Sequence, residues 1–158
     1  MQKDIPMKKY SIECWLYHHI TDRFLLLRCP ATHRHDEYWQ PVTGGRDKNE
    51  TCIHACLREV REETGQILHP DQVYVVIPEF SFCIPEARLE LIKPIYLAPV
   101  NSDQVTLSAE HIAYCWFASG DIDCRLHWDS SRQSFQHVLK FSRSFCMIPD
   151  PSLPKIQL

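Results

Sequence analysis

The sequence predicts a single mixed α/β domain. Three observations carry that reading: a length of 158 residues, a composition of 44% hydrophobic and 23% charged residues, and short strand-like runs interleaved with two segments of helical periodicity. Seventeen Lys and Arg against twenty Asp and Glu leave a formal charge of −3, so no basic surplus points to nucleic-acid binding. No apolar run approaches the roughly 20 residues of a membrane span, and Met1 to Pro6 lack the apolar segment of a secretion signal. The expectation is a cytoplasmic protein with neither a membrane nor a nucleic-acid partner. In that compartment the eight cysteines read as buried thiols rather than a disulfide framework, and the absence of a Cys-x-x-Cys pair disfavours structural zinc.

Residues 10–18 read as a strand, followed by a turn at Thr21-Asp22. Residues 24–29 form a second, buried strand that Pro30 ends. A polar loop over 31–37 leads into a short strand, 38–43, which runs into Gly44-Gly45. Residues 51–64 are a helix: Ile53, Cys56, Leu57 and Val60 follow its period, and Gly65 stands just past its end as a C-cap. Strands follow at 73–80 and 89–100, and Pro94 in the second asks for an edge position or a bulge. A further strand covers 113–117. The second helix, 130–145, places Phe135, Val138, Leu139 and Ser142 on one stripe. The prolines from position 149 onward cannot continue it, so the domain is expected over 1–147, with a Pro-rich tail at 148–158.

On the first helix, Glu59, Glu62 and Glu63 share one arc at about 100° per residue, beside the apolar stripe. Three such carboxylates repel one another unless a cation neutralises them. They suit Mg²⁺ or Mn²⁺, and with such ions phosphoryl chemistry. The alternative is a solvated acidic face paired with Arg58 and Arg61.

The wider spacing favours the first reading. Gly44, five residues, Glu50, seven residues, then Arg58-Glu59-Val60-Arg61-Glu62-Glu63-Thr64-Gly65 resembles the Nudix box, G-x5-E-x7-R-E-U-x-E-E-x-G-U. All seven fixed positions are met. Gln66 departs from the final hydrophobic position, with Ile67 one place later. The likeness extends to Trp39-Gln40-Pro41-Val42-Thr43 before the box, to Glu110-His111 with Trp116 after it, and to Trp128 with Arg132-Gln133. Together these most resemble the MutT-like branch that hydrolyses dihydroneopterin triphosphate and dATP.

The resemblance implies an α/β/α sandwich with a mixed β-sheet. It implies a metal set of Gly44 (through its carbonyl), Glu59, Glu62, Glu63 and Glu110, taking Mg²⁺ or Mn²⁺. The catalytic residues it implies are Glu62, Glu110 and Arg58, with Glu50 helping to hold the carboxylates. The implied activity is pyrophosphohydrolysis of a nucleoside or pterin triphosphate to the monophosphate and pyrophosphate. Two alternatives stand beside it: hydrolysis of a dinucleotide-type diphosphate such as ADP-ribose or a diadenosine polyphosphate, and a non-catalytic nucleotide-binding module. The partner is a small-molecule phosphate, and the chain is a monomer or homodimer. Candidate phosphate donors are Lys9 with Lys8, Arg28 and Thr43; Trp39 and Phe82 are candidate ring-stacking residues. Each has a plainer reading as a surface, turn or core residue. His33, His35, His18 and His19 read as solvated, and Cys52 and Cys56 as packing residues.

Overall fold

The computed structural model describes residues 5–146. The expected tail, 148–158, lies outside them. The strands are β1 (Met7–His18), β2 (Arg23–Cys29), β3 (Tyr38–Gln40), β4 (Val42–Gly45), β5 (Tyr74–Ile84), β6 (Leu89–Val100) and β7 (Ala113–Ala118); the helices are α1 (Cys52–Thr64) and α2 (Asp129–Cys146). One mixed sheet runs β3-β2-β1-β6-β5, with β4 on β1 and β7 on β2. Among the strand pairs of the described residues, β1–β6 alone is parallel. Along one edge of β1, β4 takes Ser11 to Cys14 and β2 takes Tyr17 and His18.

From Ile12 to Tyr17, β1 is buried on both faces, and the period of two sorts its side chains. Ile12, Cys14 and Leu16 join Leu25, Leu27 and Val42 under Ala55, Cys56 and Val60 of α1. Trp15 and Tyr17 join Phe24 and Leu26 under Phe135 and Val138 of α2. The result is the expected α/β/α sandwich.

Several expectations need correction. The strand expected over 38–43 is two strands, because Pro41 has no N–H to give to a ladder. β6 has a neighbour on each side, so of the edge or bulge expected at Pro94 the bulge is what is found. Pro94 sits at an irregularity: the β1 ladder jumps from Ile92 to Ile95 and the β5 register shifts between Ile77 and Phe80. β1 starts earlier than its apolar pattern suggests, because Met7 to Tyr10 pair with Leu89 to Ile92. Cys14, Cys29 and Cys56 are buried, but Cys83 and Cys124 are exposed. His18 is buried, not solvated, with its ring bonded to Thr21 Oγ1 and the Asn101 carbonyl.

Candidate active site

α1 begins where Thr51 Oγ1 accepts the His54 N–H and ends where Gly65, at φ 76°, donates its N–H to the Arg61 carbonyl. The left-handed φ explains the glycine, and a Cβ there would also meet Thr106 Cβ at 3.0 Å. Between these caps, Ala55, Cys56 and Val60 anchor the helix to the sheet. Glu63 lies one turn beyond Val60, so the same anchoring carries its carboxylate inward until it is 3% exposed.

Arg58 organises the rest. Its Nε and one Nη grip both oxygens of Glu50 at 2.9 and 3.0 Å. The same Nη reaches the Gly45 carbonyl at 2.9 Å, while the other donates to Glu59 at 2.9 Å and Glu62 at 3.2 Å. All five guanidinium N–H groups are thereby engaged. That fork holds the Glu50 carboxyl down at about 2 and keeps Arg58 charged.

Gly44 lies against the Glu59 carboxylate so closely that a Cβ would overlap it. β4 brings it there by pairing Gly44 with Ile12. Burial pushes the Glu59 carboxyl up from its usual range, and Arg58 opposes that. Glu63 goes further: burial, then the charges of Glu59 and Glu110, push it up to about 9, although the Thr43 backbone N–H donates to it. Its Oε2 is buried and has no hydrogen-bond partner among the described residues.

An acceptor oxygen left unsatisfied beside three other carboxylates is the donor set of a hard cation. In the present arrangement Arg58 supplies the countercharge, and no three Asp, Glu, His or Cys side chains among the described residues already converge on one metal position. The residues nevertheless fit a divalent ion: oxygen donors only, one of them unpaired, against a glycine that admits a carboxylate. Glu59, Glu63 and the Gly44 carbonyl are the donors that could hold it, while Glu62 and Glu110 are exposed. Glu110, remote in sequence, is brought close enough to raise both Glu59 and Glu63.

Gly44 and Gly45 also line a cavity of about 810 Å³ on the α2 face of the sheet, with Lys9, Thr43, Phe82, Tyr38, Trp128 and Gln133. On the other side of Gly45, a second hollow gathers Lys8, Lys9, Arg46 and Lys48. Lys9, Thr43 and Phe82 therefore stand at the cavity. Trp39 and Arg28 do not line it: Trp39 packs on Phe117 at 5.1 Å and Arg28 pairs with Glu37 at 2.8 Å. His35 contacts Tyr38 and Trp128, while His33 is exposed. Cys52 and Cys56 pack in the α1 core. The reading from sequence passed over Arg46, Lys48 and two residues of the cavity wall, Glu13 and Lys93. For Glu13 and Lys93 the available signal was a charge inside an otherwise apolar strand.

A sequence model of the NUDIX domain matches residues 14–138. No curated protein sequence matches the chain at a significant level. Among solved structures, the dihydroneopterin triphosphate pyrophosphohydrolase of E. coli is 25% identical over 85% of this chain and 99% of its own, with a TM-score of 0.66. The MutT protein of Methanosarcina mazei Go1 is 23% identical over 89% and 96%, TM-score 0.70. An Ap4A hydrolase of C. elegans is 22% identical over 87% and 99%, TM-score 0.64.

Proposed function

The chain belongs to the NUDIX family, and from that premise we propose that it is a divalent-metal-dependent pyrophosphohydrolase. Its substrate is a nucleoside or pterin triphosphate, with dihydroneopterin triphosphate first and dATP as a weaker, secondary substrate, cleaved to monophosphate and pyrophosphate. The observation that carries this reading is the carboxylate cluster organised by Arg58, with Glu63 bonded to the backbone of a strand that also borders a large cavity. The likeness to the E. coli enzyme supports the triphosphate class.

A divalent ion held by Glu59, Glu63 and the Gly44 carbonyl would neutralise the phosphate chain and acidify a water. The protein's own groups do the remaining work. Arg58 fixes Glu59 and Glu62 in place, with Glu50 as its anchor. Glu62, 57% exposed, and Glu110 face solvent and are the candidates to take the proton of the attacking water. Lys8, Lys9, Arg46 and Lys48 offer donors to the outer phosphates beyond Gly45. The ring enters the cavity on the α2 face, where Phe82, Tyr38 and Trp128 supply flat apolar surface.

The test is pyrophosphate release from dihydroneopterin triphosphate in Mg²⁺. Glu59→Gln and Glu63→Gln should each slow turnover by at least about a hundredfold, with the fold retained. Turnover near wild type in both variants contradicts the assignment. Nucleotide binding without any turnover in the unmodified chain would favour the binding-module alternative.

A further inference from the structure

One ionised pair in the cavity wall has no part in the hydrolysis. Glu13 of β1 is 1% exposed and Lys93 of β6 is 8% exposed, with Nζ 2.8 Å from Glu13 Oε1. Burying such a pair costs several kcal/mol of desolvation per ion before attraction offsets it, so it is weak support for the fold alone. The carboxylate accepts hydrogen bonds from three elements. Its other oxygen accepts Trp15 Nε1 at 2.9 Å and Ser134 Oγ at 2.6 Å. The single Ser134 proton goes to that short charged contact rather than to the Ser131 carbonyl at 3.0 Å.

The ammonium is different. It has three N–H donors, and among the described residues Glu13 is its one hydrogen-bond partner. It also lies over the face of Phe82, 5.5 Å from the ring centroid, and both side chains line the cavity. Lys93 is thus held at a fixed place beside an aromatic surface, with donors to spare. Its charge is already balanced by Glu13, so the wall favours an uncharged acceptor over another phosphate.

Position supports the same division. Glu13 and Lys93 lie on the α2 face, whereas Glu59 and Glu63 come from α1 on the opposite face. The two faces meet at Thr43-Gly44-Gly45, where Glu13 pairs with Thr43 and Ile12 with Gly44. A substrate crossing that strand presents its phosphates to α1 and its ring to Lys93.

Resting on the triphosphate reading above, we infer that Lys93, positioned by Glu13, is a specificity-determining residue that donates to adjacent acceptors on the substrate ring. The site takes a ring with an oxo group beside a ring nitrogen in preference to one with an amino group there. Guanine presents O6 next to N7, and a dihydropterin presents its 4-oxo group next to N5. Adenine places an amino donor where the oxo acceptor would be.

The test is equilibrium binding of dGMP and dAMP to the full chain, with kcat/KM for dGTP and dATP in Mg²⁺ measured alongside. The wild type should bind dGMP at least about tenfold more tightly than dAMP. Lys93→Met combined with Glu13→Gln removes both charges together and should bring the two affinities within about threefold, mainly by weakening dGMP, while Lys93→Arg retains the preference. Equal binding of the two monophosphates by the wild type overturns the inference without any variant. A preference unchanged in a double variant that still unfolds cooperatively overturns it too. Selective binding with no pyrophosphate released from any triphosphate supports the ring inference and removes the hydrolytic reading. Pyrophosphate release without discrimination between dGTP and dATP removes the inference alone.

Discussion

Glu63 holds the sharpest conflict in the molecule, a carboxyl buried on the anchored side of α1 beside three other acids. Raised to about 9 from an ordinary 4.5, it carries a proton in the metal-free folded chain at neutral pH and none in the unfolded chain. Between those two values the native state binds more protons, so the free energy of unfolding falls as pH rises. The metal-free wild type should therefore lose stability from pH 6 to pH 9 in denaturant titrations. Glu63→Gln, with a neutral amide in the same place, should lose less over that interval. Parallel profiles for the two proteins would mean that the carboxyl is solvated. Glu63 was legible in the sequence as a member of the box, but its burial was not. That depends on how α1 seats against the sheet, which is set by Ala55, Cys56 and Val60 together.

α1 is the element the sequence announced most completely. Its apolar period, its Thr51 start and its Gly65 stop are all local, and all three are found. Strand ends were less legible because they are decided by partners: Met7 to Tyr10 are strand only because β6 lies beside them. β4 shows how little separates support from function. The three atoms nearest a Cβ on Gly44 all belong to the movable end of Glu59, so Gly44→Ala should cost little stability but displace the carboxylate. Since displacement of a reacting group by about 1 Å can cost a hundredfold in rate, turnover should fall by about that factor with the unfolding midpoint nearly unchanged. A variant as active as wild type would show that Glu59 does not need this approach. On the other face, Phe135 of α2 packs on Trp15 at 5.1 Å and Phe24 at 5.2 Å. Phe135→Ala should lower stability by about 3–5 kcal/mol in denaturant titrations, and a loss under 1 kcal/mol would contradict a core role.

At the scale of the whole molecule, the sandwich divides the labour between its two faces. α1 carries the acids, α2 closes the cavity, and the strand ending in Gly44-Gly45 joins them. The α1 acids were legible because they sit in one segment, whereas Glu110, remote in sequence, entered only with the family resemblance. The cavity was not: Glu13 and Lys93 are 80 residues apart and meet only through the parallel β1–β6 pair. Arg28 and Trp39 misled because a cation and an aromatic near a glycine turn look available until packing takes them. The joined faces are what a triphosphate bearing a flat ring requires, and that is the central claim. It is tested most directly by kcat/KM for dihydroneopterin triphosphate, dATP, 8-oxo-dGTP, ADP-ribose and a diadenosine polyphosphate under one Mg²⁺ condition, with products identified. The account predicts that dihydroneopterin triphosphate leads and yields monophosphate and pyrophosphate; a preference of about tenfold or more, roughly 1.4 kcal/mol, for ADP-ribose or the diadenosine polyphosphate would contradict it.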